Sequence, residues 1–293
     1  MRVFVTGASG FIGSALVSDL VTAGHQVVGL ARSDAAAAAL AAVGAEVRRG
    51  AVEDLDGLRG GAAGSDGVVH LAFDHDFSQH EAAARAELRA VETFGDVLEG
   101  SGRPLVIASG GPVGSERDAP PASPSPRNAG VRAALALAER GVRSCVVRLA
   151  PTVHDRITCA LVAQLAGVAR EKGVSGYLGD GSNRWPSVHR LDAARLFRLA
   201  VEKAPAGSVL HGVGEEGVAI RAIAEAVGLR VNVPVAAVAA EDAGAHFGFL
   251  ARLVGLDMPA SNRLTRELLG WEPTRPGLID DLRSFCDDSR SAV

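Results

Sequence analysis

Three glycines, Gly7, Gly10 and Gly13, follow the short apolar run from Arg2 to Thr6 and precede Ile12, Leu16 and Leu20 at helical spacing. A strand that turns on such glycines into a helix can cradle a phosphate. The first glycine allows the tight turn, the second lets the backbone approach a pyrophosphate, and the third packs helix against strand. The helix N-terminus adds unpaired N–H groups for the anion. Thr6, Ser9, Phe11 and Ile12 share the turn, and an apolar run at 26–30 closes a βαβ unit, so the spacing points to dinucleotide binding. Arg32 and Ser33 stand at the tip of the second strand. A carboxylate there would hold a ribose 2′-hydroxyl, whereas a guanidinium beside a hydroxyl suits a 2′-phosphate. The expectation is NADP(H) in preference to NAD(H). The plainer alternative leaves Arg32 solvated beside a helix start with Asp34 as its N-cap.

Other residues have the chemistry to move protons. Phe73, Asp74, His75, Asp76, Phe77, Ser78, Gln79 and His80 follow the fourth apolar run, at the edge where open α/β sheets bind ligands. His75 between two carboxylates is a candidate general acid, with Asp74 beside it for substrate. The plainer reading is a polar loop with Asp76 or Ser78 capping the next helix. Neighbouring ligands rarely converge on one ion, so no metal is expected. His154-Asp155 after Pro151 is a further candidate pair facing a cleft, or simply a strand-end loop. Tyr177, the one tyrosine, could reach substrate together with Arg184, Trp185 and His189. Trp185 beside Pro186 could equally fill a core.

The elements that must position these residues alternate along the first half. Apolar runs at 3–6, 27–30, 46–49, 67–71, 105–109 and 144–149 read as strands. Helical patterns fall at 10–23, 34–43, 55–60, 79–100 and about 127–140. Such alternation predicts α/β architecture, a Rossmann-type doubly wound parallel sheet with helices on both faces. The stretch 110–126, with five prolines, reads as a loop. After Leu149 the rhythm breaks. A helix is expected over 158–172, a glycine-rich polar loop over 177–184, and a helix over 193–203 capped by Asp192. A strand follows at 208–213, then short helices such as 221–227 and 260–269. The expected division is a nucleotide-binding domain over 1–153 with 187–213 returning to it, and a smaller substrate lobe over 154–186 and 214–293.

The bulk numbers exclude several classes. With 293 residues, 47% hydrophobic and 22% charged, the chain reads as globular, and a net charge of −4 gives no reason to expect nucleic acid or an anionic membrane. No stretch is long and apolar enough for a membrane span. Cys145, Cys159 and Cys286 are widely spaced, which suits buried thiols in a reducing cytoplasm better than disulfides or zinc. The partner expected is a small molecule.

The chain resembles the extended short-chain dehydrogenase/reductase superfamily, in its NAD-dependent epimerase/dehydratase-like branch. Thr6-Gly7-Ala8-Ser9-Gly10-Phe11-Ile12-Gly13 has that family's TGxxGxxG form. Asp54-Leu55 is similar to its adenine-contacting pair, and His70-Leu71-Ala72 to the strand end that lies along the cofactor. Arg148-Leu149-Ala150-Pro151 is similar to the segment after the sixth strand. Gly179-Asp180-Gly181 and His189-Arg190-Leu191-Asp192 resemble the family's GDG…HVxD stretch. The resemblance also implies a homodimer through the helices at 79–100 and from Arg127, where Val131, Ala134, Leu135 and Ala138 form an apolar stripe.

In that family a Tyr and a Lys four residues later carry the proton, helped by a hydroxyl after the fifth strand; the lysine lowers the tyrosine pKa. Here Gly181 stands four residues after Tyr177, so no such pair exists. Arg127 falls near the Tyr place and Val131 near the Lys place, while Ser109 is the hydroxyl left in Ala108-Ser109-Gly110-Gly111. Arginine stays protonated, so it can polarise a carbonyl but is a poor proton donor. Asn128 could equally be helix-start chemistry. Trp185 occupies the place where the family's arginine holds a nucleotide-sugar phosphate, which points to a flatter or more apolar substrate. The resemblance therefore implies an NADP(H)-dependent oxidoreductase acting on a small carbonyl or hydroxyl compound with a substitute proton donor. A non-redox cyclase, isomerase or lyase on the same fold, or a non-catalytic NADP-binding regulator, are the alternatives.

Overall fold

The computed structural model describes residues 1–74, 80–111, 114–118, 127–156 and 159–290. The first half contains β1 (Arg2–Thr6), α1 (Phe11–Thr22), β2 (Gln26–Ala31), α2 (Asp34–Ala42), β3 (Glu46–Arg49) and α3 (Leu55–Ala63). It continues with β4 (Gly67–His70), α4 (His80–Leu98), β5 (Pro104–Gly110), α5 (Asn128–Ala136) and β6 (Arg143–Leu149). Next come β7 (Thr152–His154), α6 (Ala160–Lys172), β8 (Ser175–Leu178), β9 (Arg184–His189), α7 (Arg190–Lys203) and β10 (Ser208–Gly212). The chain ends with β11 (Glu215–Ala219), α8 (Ile220–Val231), β12 (Val235–Val238), α9 (Ala243–Phe247), α10 (Ala251–Val254), α11 (Arg263–Leu269) and α12 (Leu278–Arg290).

Seven strands form one sheet in the order β10-β6-β5-β4-β1-β2-β3, and each neighbouring pair is parallel. Val3 and Val5 face one core, with Leu16 and Leu20 of α1 and Leu196, Phe197 and Val201 of α7. Phe4 faces the other, with Leu58 of α3, Val91, Phe94 and Leu98 of α4, and Val131 and Ala134 of α5. Apolar residues on both sides of one strand are what a sheet covered on both faces requires. The order reverses between β1 and β4, so both strand ends open onto the crevice where such sheets bind ligands.

The second lobe holds a three-stranded sheet, β11-β9-β7, and the parallel pair β12-β8. Its separate core gathers Trp185, Ile223, Val227, Phe247, Leu250 and Leu278. The chain crosses into it at β7, returns as α7 against α1, adds β10 to the large sheet and leaves again at β11.

Several expected boundaries are corrected. The loop expected over 177–184 contains the end of β8 and the start of β9, because Tyr177 and Leu178 pair with Ala237 and Val238. The helix expected from Ala193 starts at Arg190, capped by His189, whose Nδ1 accepts from Leu191 N (3.1 Å). Asp192 instead accepts hydrogen bonds from Thr274 N and Arg275 N (2.9–3.2 Å), which ties the C-terminal segment to α7. The helix expected to run to Arg140 tightens into a 3-10 turn over Leu137–Arg140 and ends at Gly141 in the left-handed region. Among the described residues no helix is long and apolar enough to cross a membrane.

Candidate functional site

The glycine turn has the shape its spacing implies. Gly7 is left-handed (φ +65°), and a Cβ on it would lie 2.8 Å from Ala72 N, so the exit of β4 runs hard against the turn. A Cβ at Gly13 would fall 2.0 Å from the Gly7 carbonyl oxygen. Helix α1 can approach β1 only without a side chain there. Gly10 differs: its Cβ would meet only Gly7 O, at 3.1 Å, and its outer side is open. No side chain caps α1 at Gly10, and its first turn carries no carboxylate. Those first N–H groups therefore face open space with no competing negative charge, which fits a phosphate group. Ser9 is exposed, Phe11 and Ile12 half-buried. Thr6 is buried; its Oγ1 accepts from Ala72 N (3.3 Å) and shares a 2.6 Å hydrogen bond with His70 Nδ1. Leu71 and Ala72 leave β4 half-buried along the same crevice.

At the tip of β2 both Arg32 and Ser33 are exposed. Ser33, not Asp34, caps α2, its hydroxyl accepting from Ala36 N (3.2 Å). Asp34 is the first helical residue and pairs with Arg49 from the end of β3 (2.8 Å). The nearby carboxylate thus meets a guanidinium of its own. Asp54 caps α3 by accepting from Gly57 N (2.9 Å), with Leu55 half-buried behind it.

Beyond β4 and β5 lies a buried acid–base pair. Arg127 donates through Nε to both oxygens of Glu87 (3.2 and 3.3 Å) and through Nη2 to Ala108 O (3.2 Å). Its guanidinium also lies 3.8 Å over the centre of the Phe73 ring. The Arg127 side chain is 18% exposed and that of Glu87 is 4% exposed. Burial pushes the Glu87 carboxyl up to about 7, outweighing the opposing pull of Arg127. His70 sits in the same region, edge-on to Phe94 (5.5 Å), and burial with the Arg127 charge lowers it to about 4, so it stays neutral. Its Nε2 is buried without a partner among the described residues.

Sequence reasoning missed Glu87. The available signal was its place on the apolar stripe Ala84, Glu87, Val91, Phe94, Leu98, where a charged residue is buried by geometry. Ser109 is buried beside Arg148 of β6, its hydroxyl 3.4 Å from Gly110 O. Asp74 is exposed at the end of the β4 exit. His75 lies outside the described residues.

The second lobe brings a different set together. His154 and His189 are register partners on β7 and β9, their rings edge to face at 5.5 Å. His154 Nδ1 bonds Asp281 of α12 (2.7 Å), and His189 Nε2 is 3.7 Å from the same oxygen. Asp281 was also missed, and it too lies on an apolar stripe, with Leu278 and Leu282. Next to His154, Asp155 pairs with Arg190 (3.2 Å), whose guanidinium reaches to 5.0 Å from the Phe11 ring in the glycine turn. The remaining candidates lie elsewhere in the lobe. Trp185 is fully buried in its core, Arg184 forks onto Asp257 (3.0–3.1 Å), and Tyr177 has Arg221 above its ring at 5.6 Å.

Comparison with known proteins gives the family and the fold. A profile of the NAD dependent epimerase/dehydratase family matches residues 3–211. An uncharacterized protein of Schizosaccharomyces pombe is 48% identical, covering 97% of this chain and 99% of its own length. A 4-hydroxy-2-methyl-3-oxo-4-farnesyl-3,4-dihydroquinoline-1-oxide ketoreductase of Stigmatella aurantiaca is 28% identical over 94% of this chain and 88% of that one. Among solved structures, a short-chain dehydrogenase/reductase superfamily protein of Agrobacterium tumefaciens with bound NAD superposes with a TM-score of 0.76. It is 18% identical and covers 100% of this chain and 98% of that one. A parallel sheet opened by a TGxxGxxG turn, matched by the family profile along more than half the chain, leads to one assignment: the protein belongs to the NAD dependent epimerase/dehydratase family.

Proposed function

We propose that the protein is an NADP(H)-dependent oxidoreductase that acts on a small carbonyl or hydroxyl compound without the usual Tyr–Lys pair. The observation that carries this reading is the Arg127 guanidinium, held at the edge of β5 by Glu87, Ala108 O and Phe73. In this reading the open N–H groups after Gly10 hold the pyrophosphate, and Leu71 and Ala72 line the crevice beside it. Arg32 and Ser33 hold a 2′-phosphate, helped by the diversion of Asp34 onto Arg49. When bound, the dinucleotide supplies or accepts the hydride.

Arg127 orients a carbonyl oxygen and stabilises the negative charge that develops on it; because a guanidinium holds its protons too tightly to release one, it leaves protonation to another group. His75 and Ser109 are the proposed donors on the first-lobe side, and Tyr177 on the second. Asp74, exposed at the exit of β4, is the proposed substrate contact, whereas His154 and His189 are engaged with Asp281, Arg184 with Asp257, and Trp185 fills the second-lobe core. The similarity to a ketoreductase supports the reaction class, and the NAD-bound structural neighbour supports a nicotinamide cofactor. Because no tyrosine is followed four residues later by lysine, a non-redox enzyme or a cofactor-sensing regulator is the second reading.

Titration with NADPH and NADH, then a panel of carbonyl compounds followed at the nicotinamide absorbance and by mass spectrometry, separates these readings. The expected result is tighter NADPH binding that Arg32→Asp weakens, together with NADPH oxidation by at least one carbonyl class. Substrate conversion without oxidation of the dinucleotide would point to the non-redox enzyme, and binding without any turnover to the regulator.

A further inference from the structure

The Arg127–Glu87 pair is arranged unlike a simple strut. Its carboxylate partner comes from α4, one turn from the start of the buried stripe, and meets both Nε and Nη2 of the guanidinium at 3.2–3.3 Å. The guanidinium is fixed from three sides by Glu87, Ala108 O and the Phe73 ring, while its Nη1 has no acceptor among the described residues. A cation held that firmly with donors to spare is suited to an oxygen brought to it. How strongly it acts depends on whether the carboxyl behind it is neutral or charged.

We propose that Glu87 is a positioning residue that gates Arg127: its protonated form leaves the guanidinium charge available to a substrate oxygen, and its ionised form cancels that charge. The inference rests on the oxidoreductase reading above and adds a regulation of the same site. Among the described residues the groups facing Glu87 are few. Arg127 reaches it from the N-cap position of α5, His70 on β4 is neutral, and α3 turns Leu58 and Ala62 toward this side of the core. Burial holds the carboxyl proton up to about pH 7, so the gate changes state near neutrality. In the carbonyl reduction, with the dinucleotide as reductant, a hydride adds to carbon and the π pair moves onto oxygen. Arg127 steadies that oxygen until a proton, delivered by the donor and replaced from solvent, completes the alcohol.

Two readouts test this. In the cofactor-free protein labelled with carbon-13 at the glutamate carboxyls, one resonance should titrate near neutral pH and vanish in Glu87→Gln. In turnover, carbonyl reduction should fall roughly tenfold for each pH unit above the transition, and Glu87→Gln, which keeps a hydrogen-bonding side chain but holds no charge, should flatten that limb. Glu87→Asp, which draws the carboxyl back from the guanidinium, should keep a limb at a displaced pH. An unchanged pH profile in Glu87→Gln, or a Glu87 resonance that titrates in the ordinary carboxylate range, overturns the gate. A wild-type protein that reduces no carbonyl compound sinks the oxidoreductase reading alone, and the resonance still decides the protonation of Glu87.

Discussion

Two buried acid–base pairs stand on different lobes, and they are built to opposite standards. Arg127–Glu87 is long, at 3.2–3.3 Å, part-exposed through the arginine, and leaves a guanidinium donor unspent among the described residues. His154–Asp281 is short, at 2.7 Å, with side chains 1% and 2% exposed, and a second histidine closes over the carboxylate. The first joins two helices at the strand edge that ligands approach; the second fastens α12 onto the small sheet. Depth alone therefore does not mark the chemical group. Unspent hydrogen-bonding capacity beside an opening does, and among the described residues the first lobe supplies it at the uncapped α1, the open side of Gly10, and Arg127.

Removing Asp281 is the sharpest way to break that contrast. Asp281→Ala leaves two buried histidines around an absent anion and should cost on the order of 3–5 kcal/mol of stability, read as a large fall in Tm. Dinucleotide affinity of the folded fraction should remain. A stable variant that binds NADPH but has lost turnover would reverse the assignment, making the second-lobe pair the chemical one.

The glycine turn provides the next test, because two neighbours with the same side chain should fail differently. At Gly13 an added methyl meets a backbone oxygen that cannot retreat, and Gly13→Ala should cost about 3 kcal/mol through displacement of α1. Gly10→Ala has only a 3.1 Å contact to absorb, so its Tm should move little while calorimetric titration shows weakened dinucleotide binding. Equal loss of stability in both variants would mean that Gly10 serves packing and not a ligand.

A smaller effect separates the pairs by pH. The Glu87 carboxyl is raised from its ordinary 4.5 to about 7, so between those values the folded protein holds a proton that the unfolded chain has released. Stability must then decline as pH rises through that window. Glu87→Gln should remove this decline from Tm measured across the range, whereas a persistent slope would place the titrating group elsewhere.

What was legible in the sequence followed from how local the cause was. The glycine turn, the alternating strands and helices, and the crowded Gly13 all arise from residues within a few positions of one another. The alternation of β1, β2 and β4 needed only two-sided apolar runs. The short strands β7, β8, β9 and β11 escaped, because partners distant in sequence define them and their residues alternate too weakly to declare a face. Glu87 and Asp281 escaped for a related reason. A single carboxylate in a helix looks solvated until the apolar stripe is traced through it, and its partner is 40 residues from Glu87 and 127 from Asp281. Trp185 shows the converse. Its place in a resembled motif pointed toward substrate, but tertiary packing put it in the core.

The finest test concerns two adjacent residues at the tip of β2. Ser33 already uses its hydroxyl to cap α2 through Ala36 N, whereas Arg32 is exposed. Ser33→Ala should therefore lower stability by about 1 kcal/mol with or without ligand, seen as a small Tm shift in the free protein. Arg32→Ala should leave that Tm unchanged and weaken NADPH more than NADH, because only the former carries the phosphate that the guanidinium would clamp. Competition between cap and phosphate for the serine hydroxyl makes a further distinction. If Ser33 leaves its cap to bind the phosphate, Ser33→Gly, which preserves much of the cap's backbone preference, should still lose NADPH affinity. If the hydroxyl stays on the cap, Ser33→Gly should bind NADPH as the wild type does, and discrimination between the two dinucleotides then falls to Arg32.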